Sequence, residues 1–134
     1  MNLENPNYWR LLINQSFLRF FLLKTLSKKE IHGYGLQTAL TVISNGLCRP
    51  SQGTIYPALK ELEKKSYVTG RWKKARNRKR KVYLLTSKGR FALKVAEEVI
   101  SKALSGLSFK ENGHPSLPIK DEITEAKTQL PLEP

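Results

Sequence analysis

Apolar residues crowd the chain from Tyr8 to about Leu26, where Leu11, Leu12, Phe17, Leu18, Phe21, Leu22 and Leu26 cover more than half the circumference of a helix. Such a helix is expected to be buried on several sides, by its own domain and by a partner subunit. Asn5-Pro6-Asn7 supplies its start. Ser27-Lys28-Lys29-Glu30 breaks the pattern and suits a turn, with Ser27 and Glu30 at capping-box spacing for a second helix. That helix is predicted from Ile31 or His32 to Ile43, with Leu36, Leu40 and Ile43 facing inward, and Ser44-Asn45-Gly46 ends it through a left-handed residue. A third helix follows Arg49-Pro50, with Ser51 as its N-cap. Ile55, Leu59 and Leu62 give it one narrow apolar stripe, and Gln52, Thr54, Tyr56, Lys60, Glu63 and Lys64 lie off that stripe. Pro57 falls early in this helix, where a missing N–H costs least.

The period then changes. Tyr67–Trp72 and Val82–Thr86 are rich in β-branched and aromatic residues and read as strands, joined into a hairpin by the polar loop Lys73–Lys81. Trp72 is expected to be a core-edge aromatic closing its strand against the third helix. Thr86 or Ser87 caps a last helix to about Ser105, in which Leu93, Ala96, Ile100 and Leu104, flanked by Val99 and Ala103, form a stripe that needs a partner. From Gly106 onward Gly113, Pro115, Pro118, Pro131 and Pro134 mark a flexible tail. The fold class is α+β, mainly α: a winged helix-turn-helix with a C-terminal dimerisation helix. Its expected divisions are a DNA-binding domain over 1–85, the dimerisation helix over 86–106 and the tail over 107–134.

Charge narrows the partner. The 134 residues carry a formal net charge of +13. Residues 1–106 hold 21 of the 24 basic and 6 of the 11 acidic side chains, a net of +15, and the remainder nets −2. A folded part so basic favours a polyanion, nucleic acid before an anionic membrane. The membrane reading is weaker because no helix with a broad basic face accompanies the charge, and Asn14, Gln15, Arg19 and Lys24 interrupt the apolar stretch Leu11–Leu26. Cys48 is the one cysteine, which suits a reducing compartment and reads as a half-buried, inert thiol rather than a redox sensor. The N-terminus has no signal-peptide pattern, so the expected location is the cytoplasm, in association with the nucleoid.

Helix, helix, helix, strand, basic run, strand, helix is the order of a helix-turn-helix followed by a wing. The third helix would enter the major groove with Ser51, Gln52, Gly53 and Thr54 at its first turn, short groups suited to base edges and phosphates. Tyr56, Lys60 and Lys64 would reach the backbone, and sequence preference would rest mainly on Gln52, Thr54 and their neighbours. Tyr34, near the start of the second helix, suits a phosphate contact and equally a packing role, and His32 reads as a helix-start residue. Between Arg71 and Lys81 there are eight cations in eleven residues and no acid, with Lys74, Arg76, Arg78, Lys79 and Arg80 as the expected phosphate contacts. Leu12 of the first helix joins Leu93, Ala96, Val99, Ile100, Ala103 and Leu104 as the candidate dimer contacts. The two histidines, the lone cysteine and the absence of a glycine-rich phosphate loop or HExxH pattern argue against an enzyme, a cofactor or a metal site. The alternative from another class is an architectural protein that coats DNA through charge alone.

Three motifs in order, Ile31-His32-Gly33-Tyr34-Gly35-Leu36, Ser51 through Glu63 (SQGTIYPALKELE) and Val82-Tyr83-Leu84-Leu85-Thr86-Ser87-Lys88-Gly89, resemble the PadR family of transcription regulators over about residues 10–104. The resemblance implies a winged-helix homodimer built by the last helix with the first, a palindromic operator, repression as the usual outcome and, in some members, release by a small aromatic or drug-like effector. The single dimerisation helix is similar to that of the shorter members. Two departures stand out: the wing is unusually rich in cations and lacks a glycine turn, and the last helix has no Trp with which to sandwich a planar ligand.

Overall fold

The computed structural model describes residues 1–107. The tail expected over 107–134 lies, but for Leu107, outside the described residues. The first helix, α1, spans Pro6–Lys28, with Pro6 in its first turn and the Asn5 side chain accepting a hydrogen bond from the Asn7 N–H at 2.9 Å. It runs through the predicted turn, so no capping box forms. The Ser27 hydroxyl donates to the Lys24 carbonyl at 2.6 Å, and Glu30 pairs with Lys73. Burial is confined to the second half of α1, at Leu18, Leu22, Leu23, Thr25 and Leu26; Trp9, Leu11 and Leu12 are exposed.

The second helix starts later than the periodicity suggests. Ile31–His32 is a short strand, β1, and a 3-10 turn at Gly33–Gly35 precedes α2 at Leu36–Ile43. Two glycines around Tyr34 weaken helix formation here, while β1 finds partners across an existing strand, at Ile31↔Tyr83 and His32↔Val82. The end of α2 is as expected: Asn45 and Gly46 take φ of 55° and 81°. Then α3 spans Gln52–Lys64, burying Ile55, Ala58, Leu59 and Leu62. Pro57 lies beyond the first turn rather than within it, so the Gly53 carbonyl loses its usual i+4 donor. The helix closes with Tyr67 N–H donating to Leu62 at 2.9 Å and Ser66 N–H to Glu63 at 3.0 Å, and Ser66 adopts φ 67°.

The hairpin is longer and tighter than expected. Strand β2 spans Val68–Ala75 and β3 spans Arg78–Leu85, paired from Val68↔Leu85 out to Ala75↔Arg78, and the sheet order is β1-β3-β2. The cations from Arg71 to Lys81 therefore lie mostly on paired strands, not in a loop. Only Arg76 and Asn77 turn the chain, with Arg76 at φ 57°. Trp72 does not close the core: it is 67% exposed, with Lys81 Nζ 5.9 Å from its ring centroid.

The last helix, α4, spans Ser87–Ser105. Thr86 caps it, its hydroxyl accepting from Gly89 N–H at 3.0 Å and donating to the Ser66 and Tyr67 carbonyls at 2.6 and 3.0 Å. Leu93, expected on a stripe facing a second subunit, is 6% exposed and belongs to the chain's own core with Leu22, Leu36, Leu59 and Leu85. Contacts group Met1–Glu98, which includes most of α4, into one compact unit. No helix among the described residues is long and apolar enough to cross a membrane.

Candidate nucleic-acid interface

The buried stripe of α3 leaves the rest of the helix surface free. Ser51, Gly53, Thr54, Tyr56, Lys60 and Lys64 are exposed, and the Ser51 and Thr54 hydroxyls lie 3.1 Å apart. A Cβ at Gly53 would come no nearer to other atoms than the Ser51 hydroxyl at 3.7 Å, so the surface there is open. Gln52 differs from its neighbours. Its amide nitrogen donates to the Tyr34 carbonyl at 3.2 Å, and its Oε1 is buried without a partner among the described residues. Gln52, expected with Thr54 and their neighbours to carry the sequence preference, thus has its side chain turned toward the body of the domain. Gln37 holds the same region from α2, donating to the Pro50 carbonyl at 2.8 Å.

Tyr34 joins the helix-turn-helix to the wing. Its hydroxyl accepts from Arg80 Nη1 at 2.6 Å, the Arg80 guanidinium lies 5.0 Å from the ring centroid, and the His32 ring stacks on it at 5.2 Å. Its ring is exposed. Gly33 keeps this junction tight: a Cβ there would lie 3.1 Å from the Tyr56 ring and 3.3 Å from that of Tyr83. The resulting cleft of about 340 Å³ runs between the 3-10 turn, α3 and the hairpin, lined by Tyr34, Tyr56, Trp72, Lys79 and Arg80 among others.

Toward the base of the wing Lys73, Arg80 and Lys81 are engaged, whereas Arg71 is exposed and makes no ion pair among the described residues. Lys73 pairs with Glu30, whose carboxyl is held below the usual carboxylate range chiefly by that hydrogen bond. Lys81 pairs with Glu63 at 3.1 Å, and the same carboxylate accepts from the Gly70 N–H at 3.1 Å. This bond to Glu63 raises the ammonium's pKa. Arg80 is engaged by Tyr34. Toward the tip, Lys74, Arg76, Arg78 and Lys79 are exposed and make no ion pair among the described residues. Lys74 and Lys79 also face each other across the ladder, a like-charge pairing that opposes closure of the strands. Acids thus hold Lys73 and Lys81 at the base, and the tip cations have no acidic partner among the described residues.

The candidate self-association residues are spread differently. Leu12, Val99, Ala103 and Leu104 are exposed, Ala96 and Ile100 are partly covered, and Leu93 is core. Phe91, at 69%, and Val95, at 45%, are also exposed on α4. With Val99 they repeat every fourth residue of α4, a spacing that could have been read from the sequence. Cys48 is fully buried, not half-buried, and burial pushes its thiol pKa up.

The sequence model described as "Transcriptional regulator PadR-like family" matches residues 22–95. Transcriptional regulator YqjI of Escherichia coli K12 is 31% identical over 102 residues, covering 71% of this chain and 48% of the relative. The chain therefore spans about half the length of the curated relatives it matches. Among solved structures, a PadR-like transcriptional regulator of Bacillus cereus superposes with a TM-score of 0.59 at 29% identity, covering 71% of this chain and 94% of that one. A PadR family regulator of Eggerthella lenta gives 0.64 at 21% identity, over 75% of this chain and 86% of that one. Bacillus subtilis PadR in complex with operator DNA gives 0.52 at 21%, over 83% of this chain and 57% of that one, a likeness of fold.

Proposed function

The chain belongs to the transcriptional regulator PadR-like family, and from that premise we propose that it binds a palindromic operator as a homodimer and represses transcription. The family is one of regulators, not enzymes. The observation that carries the reading is the pairing of an exposed polar surface on α3 with cations at the tip of the hairpin directly after it that make no ion pair among the described residues. In this reading α3 enters the major groove and the tip follows the flanking phosphates. A relative of the same fold, Bacillus subtilis PadR, is known in complex with operator DNA. Thr54, Ser51 and Lys60 offer groups to base edges and phosphates, and Gln52 acts from behind by holding the Tyr34 backbone. The two-fold axis sets two copies of α3 about 34 Å apart, in successive major grooves. Exposed Phe91 and Val95 on α4, with Leu12 on α1, serve self-association.

The regulator is expected in the cytoplasm, on the nucleoid. An effector that releases DNA remains part of the proposal only as a small aromatic compound, and α4 offers it no Trp. Gel-shift titration with the chain's own promoter and with random duplex, at two salt concentrations, tests the reading. Specific regulation requires tighter binding to the promoter at both salts. Equal affinity for the two duplexes transfers the protein to the architectural class.

A further inference from the structure

We propose that DNA is gripped on both sides of α3, and that Arg10 on α1 and Arg49 in the turn before α3, neither of them a wing cation, hold the phosphate strand opposite the wing. This rests on the DNA-binding reading above and extends it to a surface that no motif marks. Both arginines line one open cavity of about 590 Å³, together with Asn14, Leu47, Pro50 and Thr54. Thr54 reaches that cavity from α3, whereas Tyr56 lines the cleft beside the wing. Residues two apart on a helix point about 200° away from each other, so the arginine cavity and the wing flank opposite sides of α3. A helix lying in a major groove has one phosphate backbone on each side. The wing can serve only one of them, and the cavity supplies cations for the other.

The pair is held in place. The Asn14 amide nitrogen donates to the carbonyls of Arg10 and Leu47, both at 2.7 Å, and Asn14 Oδ1 accepts from the Arg49 N–H at 3.0 Å. One side chain therefore pins the loop that carries Arg49 to the helix that carries Arg10. Both arginines are exposed, and neither makes an ion pair among the described residues. Among the described residues Arg10 Nη1 donates only to the neutral Asn7 amide, at 3.0 Å. The cavity lining contains no acid. Two unneutralised, forked donors beside a hydroxyl suit phosphate oxygens.

The test compares the intact chain with R10A/R49A by fluorescence anisotropy on a random-sequence duplex over a series of KCl concentrations, with the oligomeric state followed by light scattering. The expected result is a loss of affinity on the order of tenfold or more and a log–log salt slope shallower by roughly 2, at about 0.9 per phosphate. R10K/R49K, which keeps the charge, should restore most of the slope. If the intact chain binds and the alanine variant matches it in affinity and slope, the grip is overturned and the DNA-binding reading stands. If affinity falls only because the variant dissociates into monomers, the cavity faces a second copy of the chain and the grip is again overturned. If the intact chain itself fails to bind DNA, the underlying reading falls first.

Discussion

Ser66 is the one non-glycine residue at the end of α3 forced into the left-handed region, at φ 67°. The helix-closing bonds of Ser66 and Tyr67 hold it there. A side chain in that conformation costs about 1–2 kcal/mol, partly offset by the entropy a glycine would lose on folding. S66G is therefore expected to raise stability by about 0.5 kcal/mol, seen as a higher urea midpoint at unchanged m-value. Gly89 has the opposite constraint. A Cβ there would lie 2.1 Å from the Tyr67 carbonyl oxygen, which is backbone and cannot yield without moving the start of the hairpin. G89A should lower stability by about 1–3 kcal/mol, despite the better helix propensity of alanine. The sequence displays Gly89 within a motif, but the reason for it depends on a chain crossing that no local pattern encodes.

At the scale of elements, the wing and β1 differ most from expectation. Period-two apolar alternation stops at Trp72 because beyond it both faces of the hairpin meet solvent. The ladder nevertheless continues to Ala75↔Arg78, since backbone pairing does not require an apolar face. Two-residue β1 is too short to show a period and exists only through β3. The three long helices, by contrast, are legible from their stripes and caps, because those signals are local. Splitting the wing into tip and base gives a measurable consequence. R78A/K79A should flatten the log–log salt slope by roughly 2, from about 0.9 per phosphate, in anisotropy titrations. K81A, which strips Glu63 of its partner at the base, should change the slope far less. Equal effects from the two variants would mean that the base cations also face the phosphates.

For the whole molecule, α4 divides its apolar residues between two tasks. Leu93 closes the chain's own core, while Phe91 and Val95 stand exposed. Both sets repeat at helical spacing, so periodicity alone could not say which faces inward; the position of α4 against α1 and β3 decides that. F91S/V95S is expected to shift a dimer to monomer in light scattering with the circular dichroism of the chain retained. L93A should instead cost about 2–5 kcal/mol of stability. A double variant that stays dimeric would move the self-association surface away from this part of α4.

The facing lysines of the wing, Lys74 and Lys79, have a consequence beyond binding. Their repulsion works against the last rungs of the ladder, so tip amides should exchange with deuterium faster than those near Val82. Added salt screens that repulsion. Exchange at the tip should then slow as KCl rises, over the same range in which DNA affinity falls.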